Sequence, residues 1–179
     1  METALLLIDF QIDFLADSGR MPVGSENAEQ VIATANRLIR LFEKRGWLII
    51  NVLSKFKKMD MIGNFFRNHA AIEGSDGCKT DPRLAPHNPT FLPKPKSSAF
   101  SNPYLVEYLK QKEIDHIVIC GVYAEGCVRA TALDARRAGL GVTLISDGVA
   151  SDKIAKYNQA LSQMQKKGVQ VLSLEEYIK

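Results

Sequence analysis

The sequence predicts an α/β protein: a three-layer αβα sandwich on a doubly wound, mostly parallel six-stranded sheet of order 3-2-1-4-5-6. Three observations carry that expectation. Short, continuous apolar runs, as expected of strands buried on both faces, recur along the chain. Amphipathic stretches with apolar residues three and four apart stand between them. Strand and helix alternate, which sets parallel strands side by side with helices covering both faces. The 179 residues suit a single domain, 1–179, with a full hydrophobic core.

The elements follow in order. TALLLI, 3 to 8, is the first strand. The stretch METALLLIDFQ lacks a basic start and a cleavage site and its apolar run stops at Asp9, so it reads as a strand rather than a signal peptide. Gly24 and Ser25 open a helix, with Ser25 as N-cap and Glu26 near the positive end of the dipole. Its inward face is Ala28, Val31, Ile32, Ala35, Leu38, Ile39 and Phe42, and Gly46 ends it. WLIINVL, 47 to 53, is the second strand, parallel to the first. Residues 54 to 90 mix lysine, phenylalanine and glycine with Pro82, Pro86 and Pro89. A structureless loop of that length does not suit a compact domain, so a short helix near 62 to 71 and a functional or interface role are expected. A third strand falls near 90 to 94. Asn102 and Pro103 read as N-cap and first helical residue of a helix to about Lys112. HIVICGV, 116 to 122, is a strand, and a helix over about 126 to 138 turns Val128, Thr131, Ala132, Ala135 and Ala138 inward before Gly139. VTLIS, 142 to 146, a helix from about Lys153 to Lys167 burying Ile154, Tyr157, Leu161 and Met164, and VQVLS, 169 to 173, complete the pattern.

Several function classes drop out. Net charge is +3, with no long basic run and no zinc-finger spacing, which argues against a nucleic-acid partner. Apolar runs of about five to seven residues are too short for a membrane span. Three cysteines argue against a disulfide framework and for the cytoplasm.

In doubly wound sheets ligands bind beyond the carboxyl ends of the strands, where the strand order reverses. Asp9 follows the first strand and residues 121 to 127 follow the fourth, so topology alone brings them together. Cys127 stands at the predicted N-terminus of a helix, where free amides and the dipole favour a thiolate and could also hold an oxyanion. The alternative is a buried structural cysteine. Cys120 reads as core, and Cys78 has no clear role. Asp9 ends an apolar strand without a neighbouring charge, as suits a partly desolvated general base and acid, or else a cap at a strand end. Asp13 reads as a turn cap. Lys94 and Lys96 in FLPKPKSSAF would keep a carboxylate and thiolate charged if they lay beside them; otherwise they are solvated surface lysines. His69, His87 and His116 are too scattered for a metal site, and no dinucleotide, phosphate-loop or serine-elbow motif occurs, so no cofactor is expected.

Three stretches together resemble the isochorismatase-like cysteine hydrolases, which include nicotinamidases, N-carbamoylsarcosine amidases, ureidoacrylate and biuret hydrolases, and isochorismatases. They are ALLLIDFQIDF with Asp9 and Gln11, KPKSSAF, which selects Lys94 over Lys96, and CGVYAEGCVRATALDARRAGLGVTLISDGVA with Cys127. The resemblance implies that Cys127 is the nucleophile of an amide, ureido or related C–N hydrolase forming an acyl-enzyme, with Asp9 as base and acid and Lys94 assisting by charge. It also implies a cis peptide bond at Val122–Tyr123, which would turn the Tyr123 amide towards the oxyanion beside that of Cys127. Gln11, Phe14 and Arg129 are expected to contact substrate, with Phe65 and Phe66 as further pocket candidates by position. Metal-containing nicotinamidases carry an aspartate and histidines after the second strand; here NVLSKFKKMDM has no histidine, so no metal is expected. An isochorismatase-type ether hydrolase and a non-catalytic thiol-reactive or binding protein are the alternative readings. The resemblance further implies a homo-oligomer, dimer or tetramer, for which Phe56, Met59, Met61, Phe65 and Phe66 are apolar candidates, and a small-molecule substrate.

Overall fold

The computed structural model describes residues 2–179. Six strands form one sheet: β1 (Glu2–Ile8), β2 (Leu48–Ser54), β3 (Thr90–Lys94), β4 (Ile114–Val122), β5 (Gly141–Ala150) and β6 (Gln170–Leu172). Their order is β3-β2-β1-β4-β5-β6 and every pairing is parallel, so the expected topology holds throughout the sheet. The helices are α1 (Ile12–Leu15), α2 (Ser25–Arg45), α3 (Met61–Phe66), α4 (Pro103–Gln111), α5 (Arg129–Arg137), α6 (Ile154–Lys166) and α7 (Leu174–Ile178). No helix among the described residues is long and apolar enough to cross a membrane.

The alternation of side chains along β1 explains the layering. Leu5 and Leu7 enter the core on the α2 side, with Val31, Ala35, Leu38 and Phe42. Ala4, Leu6 and Ile8 enter the opposite core, with Leu105, Leu109, Ala132 and Met164. Both faces of β1 are therefore dry, which is why its sequence is continuously apolar.

Four expectations are corrected. Ser25 is the first residue of α2 and Gly24 occupies the cap; the Ser25 hydroxyl instead donates to Asp17. The helix near 62 to 71 is only α3, because Asn68, His69 and Ala71 adopt positive φ and wind the chain away. Ala138 and Ile154 are exposed rather than inward: Ala138 is the C-cap of α5 and Ile154 the first residue of α6. The helix expected from 126 starts at Arg129. Before it, Ala124–Val128 form a wider, π-type turn around Gly126, whose φ of −104° and ψ of −109° are not helical.

At the carboxyl edge, β1 and β4 approach closely. Gly121 has a φ of 133°, and a side chain there would run into the Ile8 carbonyl. Asp9, the next residue of β1's chain, also has a positive φ, 56°. Aspartate tolerates this better than most residues, and such strained positions cluster at functional sites.

Candidate active site

The carboxyl ends of β1, β2, β3 and β4 meet at one ammonium. Lys94 closes β3 opposite Ser54, the last residue of β2. Its side chain is wholly buried. The ammonium pairs with Asp9 Oδ2 at 2.9 Å and donates to Ser54 Oγ at 2.7 Å and Cys127 Sγ at 3.1 Å. A lysine has three N–H donors, and here each has an acceptor, which is the condition for tolerating such a charge in the interior. Asp9 is held at its other oxygen, where Oδ1 accepts from the Ser54 amide at 2.9 Å. Thus Asp9, Lys94 and Cys127 are brought together. Lys96, the alternative left open by the residues alone, is exposed beyond the strand end.

Ser54 was not singled out from the sequence. A signal was present: it closes an apolar strand with a polar side chain, as Asp9 does. Gln11 is also fully buried, and its contacts are with the scaffold. Its Nε2 donates to the Ser54 and Cys78 carbonyls at 2.9 and 2.8 Å, while its Oε1 accepts from the Ser54 amide at 2.8 Å. Asp13, also buried, accepts from the Arg20 and Ala71 amides and so ties down the long segment after β2. That segment is further pinned by bridges Gln11–Thr80 and Phe56–Ile72.

Burial pulls the Lys94 ammonium down, but the charge of Asp9 and the contact with Cys127 outweigh that and hold its pKa above the ordinary lysine value. Burial, and next the charge of Asp9, push the Cys127 thiol up to about 12 against the opposing pull of Lys94. The proton therefore rests on sulfur while Asp9 and Lys94 pair. This corrects the expectation of a thiol acidified by a helix end: desolvation and an adjacent carboxylate outweigh the dipole, and Cys127 lies in the π-type turn. Cys120 and Cys78 are buried and their thiols are pushed up chiefly by burial.

A cavity of about 410 Å³ opens over Asp9, Ser54 and Cys127. Phe14, Met21, Phe56 and Tyr123 give it apolar wall, and Arg67 and Lys96 give it charge. Phe14 meets Tyr123 edge-on with ring centres 6.2 Å apart, and the Tyr123 hydroxyl donates to the Met21 carbonyl. The Val122–Tyr123 peptide bond is cis. The Tyr123 carbonyl accepts from the Gly126 and Val128 amides, which shapes the turn carrying Cys127. Of the remaining pocket candidates, Arg129 is directed to α6, donating to Gln163 at 2.5 Å, and Phe65 and Phe66 stand exposed on α3. None of these three lines the cavity.

Comparison with known proteins places the chain in a family. The isochorismatase domain model matches residues 3–176. The nicotinamidase of Escherichia coli K12 is 27% identical over 195 aligned positions, covering 90% of this chain and 89% of that protein. The crystal structure of nicotinamidase PncA from Bacillus subtilis superposes with a TM-score of 0.89 at 26% identity, covering 97% of this chain and 100% of the other. Pyrazinamidase of Pyrococcus horikoshii, crystallised in complex with zinc, gives 0.84 at 28% identity, covering 97% and 99%. With that model matched over nearly its whole length, the chain belongs to the isochorismatase family of hydrolases.

Proposed function

We propose that the protein is a cysteine-dependent hydrolase of a small amide, ureido or related C–N substrate. The observation that carries this reading is the single buried ammonium of Lys94 touching Asp9 and Cys127 beneath a small cavity. As the Cys127 sulfur attacks the carbonyl, its proton passes to Asp9, a general base already in place. The C–S bond forms and the oxyanion is stabilised by the backbone amides of Tyr123 and Cys127. Asp9 returns the proton to the leaving nitrogen as the C–N bond breaks, freeing ammonia or an amine. Water then attacks the thioester, Asp9 takes its proton, and the acid leaves as the thiol is restored. Lys94 stays charged throughout and offsets whichever partner carries the negative charge.

The zinc of the Pyrococcus relative prompts a test of the donor set. Among the described residues no group of three or more His, Cys, Asp or Glu side chains is arranged to hold a metal ion. The segment after β2 instead supplies Lys55, Phe56, Lys57 and Lys58, and cations beside a cation site oppose it. These residues do not fit a metal, and no step is routed through one.

The reading extends to the setting. Met59, Met61, Ile62, Phe65 and Phe66 form an exposed apolar cluster on and before α3, suited to a homo-oligomeric contact in a dimer or tetramer. Three unpaired cysteines suit the reducing cytoplasm. The test is a screen of small amides, ureas and isochorismate for product and ammonia release, with Cys127→Ala alongside. The reading requires turnover of at least one C–N substrate that the variant abolishes; turnover of isochorismate alone, or equal turnover by the variant, contradicts it.

A further inference from the structure

We propose that the substrate carries a carboxylate recognised by Arg67 and Lys96, so that the bond cleaved is the amide of a small amido or carbamoyl acid. This deepens the amide-hydrolase reading above and rests on it. Asp9 is the one carboxylate lining the cavity, and it is engaged by Lys94. Two cations line the same cavity. The Arg67 guanidinium lies over the Phe56 ring, 3.8 Å from its centre, which fixes its plane against the wall. Its Nη2 is taken by Asp60 at 2.6 Å and Asn64 at 3.0 Å. Its Nη1 makes no hydrogen bond among the described residues. Its Nε is the one buried side-chain nitrogen or oxygen among them with no partner.

A buried donor left unpaired is costly, and native structures seldom leave one without a reason. Arginine presents its N–H groups as a rigid fork matched to a carboxylate. Because Nε is closed off from solvent and Nη2 is taken, Nη1 is the donor that Arg67, which lines the cavity, has left for an anion. Asp60 neutralises part of its charge, but Lys96 is exposed and has no ion-pair partner among the described residues. Lys55, Lys57 and Lys58, exposed on either side of Phe56, add to a positive field that draws an anion to this edge. The aromatic wall suits the short carbon body between the amide and the acid.

The experiment reads recognition at Cys127 without requiring the natural substrate. Rates of modification by 3-maleimidopropionate and by the neutral N-propylmaleimide are measured on the full chain, with the adduct located by peptide mass spectrometry. The wild type should favour the charged reagent about tenfold over the ratio shown by N-acetylcysteine, as one charge-assisted contact provides. Arg67→Gln should remove most of that preference, Lys96→Gln about half of it, and Arg67→Lys should retain part. Salt at about 0.5 M should shrink it. Because Lys96 is an exposed side chain, its variant does not depend on Arg67 variants folding. A wild-type ratio equal to that of the free thiol, or one unchanged in both glutamine variants, overturns the proposal while Cys127 remains a working nucleophile. A Cys127 modified by neither reagent overturns the proposal together with the hydrolase reading.

Discussion

Replacing Asp9 by asparagine should separate two properties that usually fall together: the reactivity of Cys127 should rise while turnover collapses. In the wild type the thiol is pushed up to about 12, first by burial and next by the charge of Asp9. Asp9 and Cys127 contact the same ammonium, at 2.9 and 3.1 Å, so their charges lie at most about 6 Å apart; at an effective dielectric of about 20 their repulsion is about 3 kcal/mol. Removing the carboxylate charge lowers the thiol's pKa, and an energy of that size corresponds to a thiolate fraction at pH 7 about 100-fold higher. A less basic thiolate is a weaker nucleophile, which takes back about tenfold. The net expectation is labelling by iodoacetamide about tenfold faster in Asp9→Asn. Hydrolysis should drop by about 10² to 10⁴, because no group remains to move the proton from sulfur to the leaving nitrogen. The Ser54 amide can still donate to the asparagine oxygen, and circular dichroism with a thermal melt checks the fold. Labelling that falls in parallel with turnover would refute the electrostatic reasoning.

Other outcomes follow from the same geometry. Labelling of wild-type Cys127 should climb with pH through 9 without levelling, since the thiol is held up to about 12; a plateau between pH 6 and 7 contradicts this. Lys94→Met leaves the Asp9 carboxylate buried without its cation and should cost about 3–5 kcal/mol in urea unfolding at pH 7. Adding Asp9→Asn should recover most of that loss, and purely additive losses would show that the pair is not coupled. Ser54→Ala removes one of three acceptors of the Lys94 ammonium; it should destabilise by about 1 kcal/mol and lower kcat more than it raises KM. Phe65→Asp with Phe66→Asp should shift the sedimentation of the protein towards monomer, and an unchanged profile would place the contact elsewhere.

The strands were legible because their information is local. TALLLI, WLIINVL and HIVICGV are apolar on consecutive positions, which only burial on both faces explains, and the sheet order follows from parallel crossovers. Asp9 was legible as a charge ending such a run. The choice between Lys94 and Lys96 was not settled by their own residues: alternation gives both the same side, and only the pairing of Ser54 with Lys94 shows where β3 stops. Ser54 and Arg67 depend on partners 40 and 11 or fewer residues away that no local pattern announces, such as Lys94 for one and Phe56 for the other. The long segment after β2 was opaque for the same reason. Its shape is set by the buried Asp13 and by bridges from Gln11 and Phe56, not by its own propensities. The thiol's acidity is not legible in sequence, because a helix end is visible there whereas the desolvation that outweighs it is created by the tertiary fold.

The most direct measurement of the central claim is rapid-quench intact-mass analysis of the wild-type protein with a slowly deacylated amide identified in the screen. A covalent adduct with the mass of the acyl group, appearing within the first turnover at one per chain and mapping to Cys127, is the predicted result. Steady turnover with no adduct at Cys127, under conditions where product forms faster than the quench, would contradict the account.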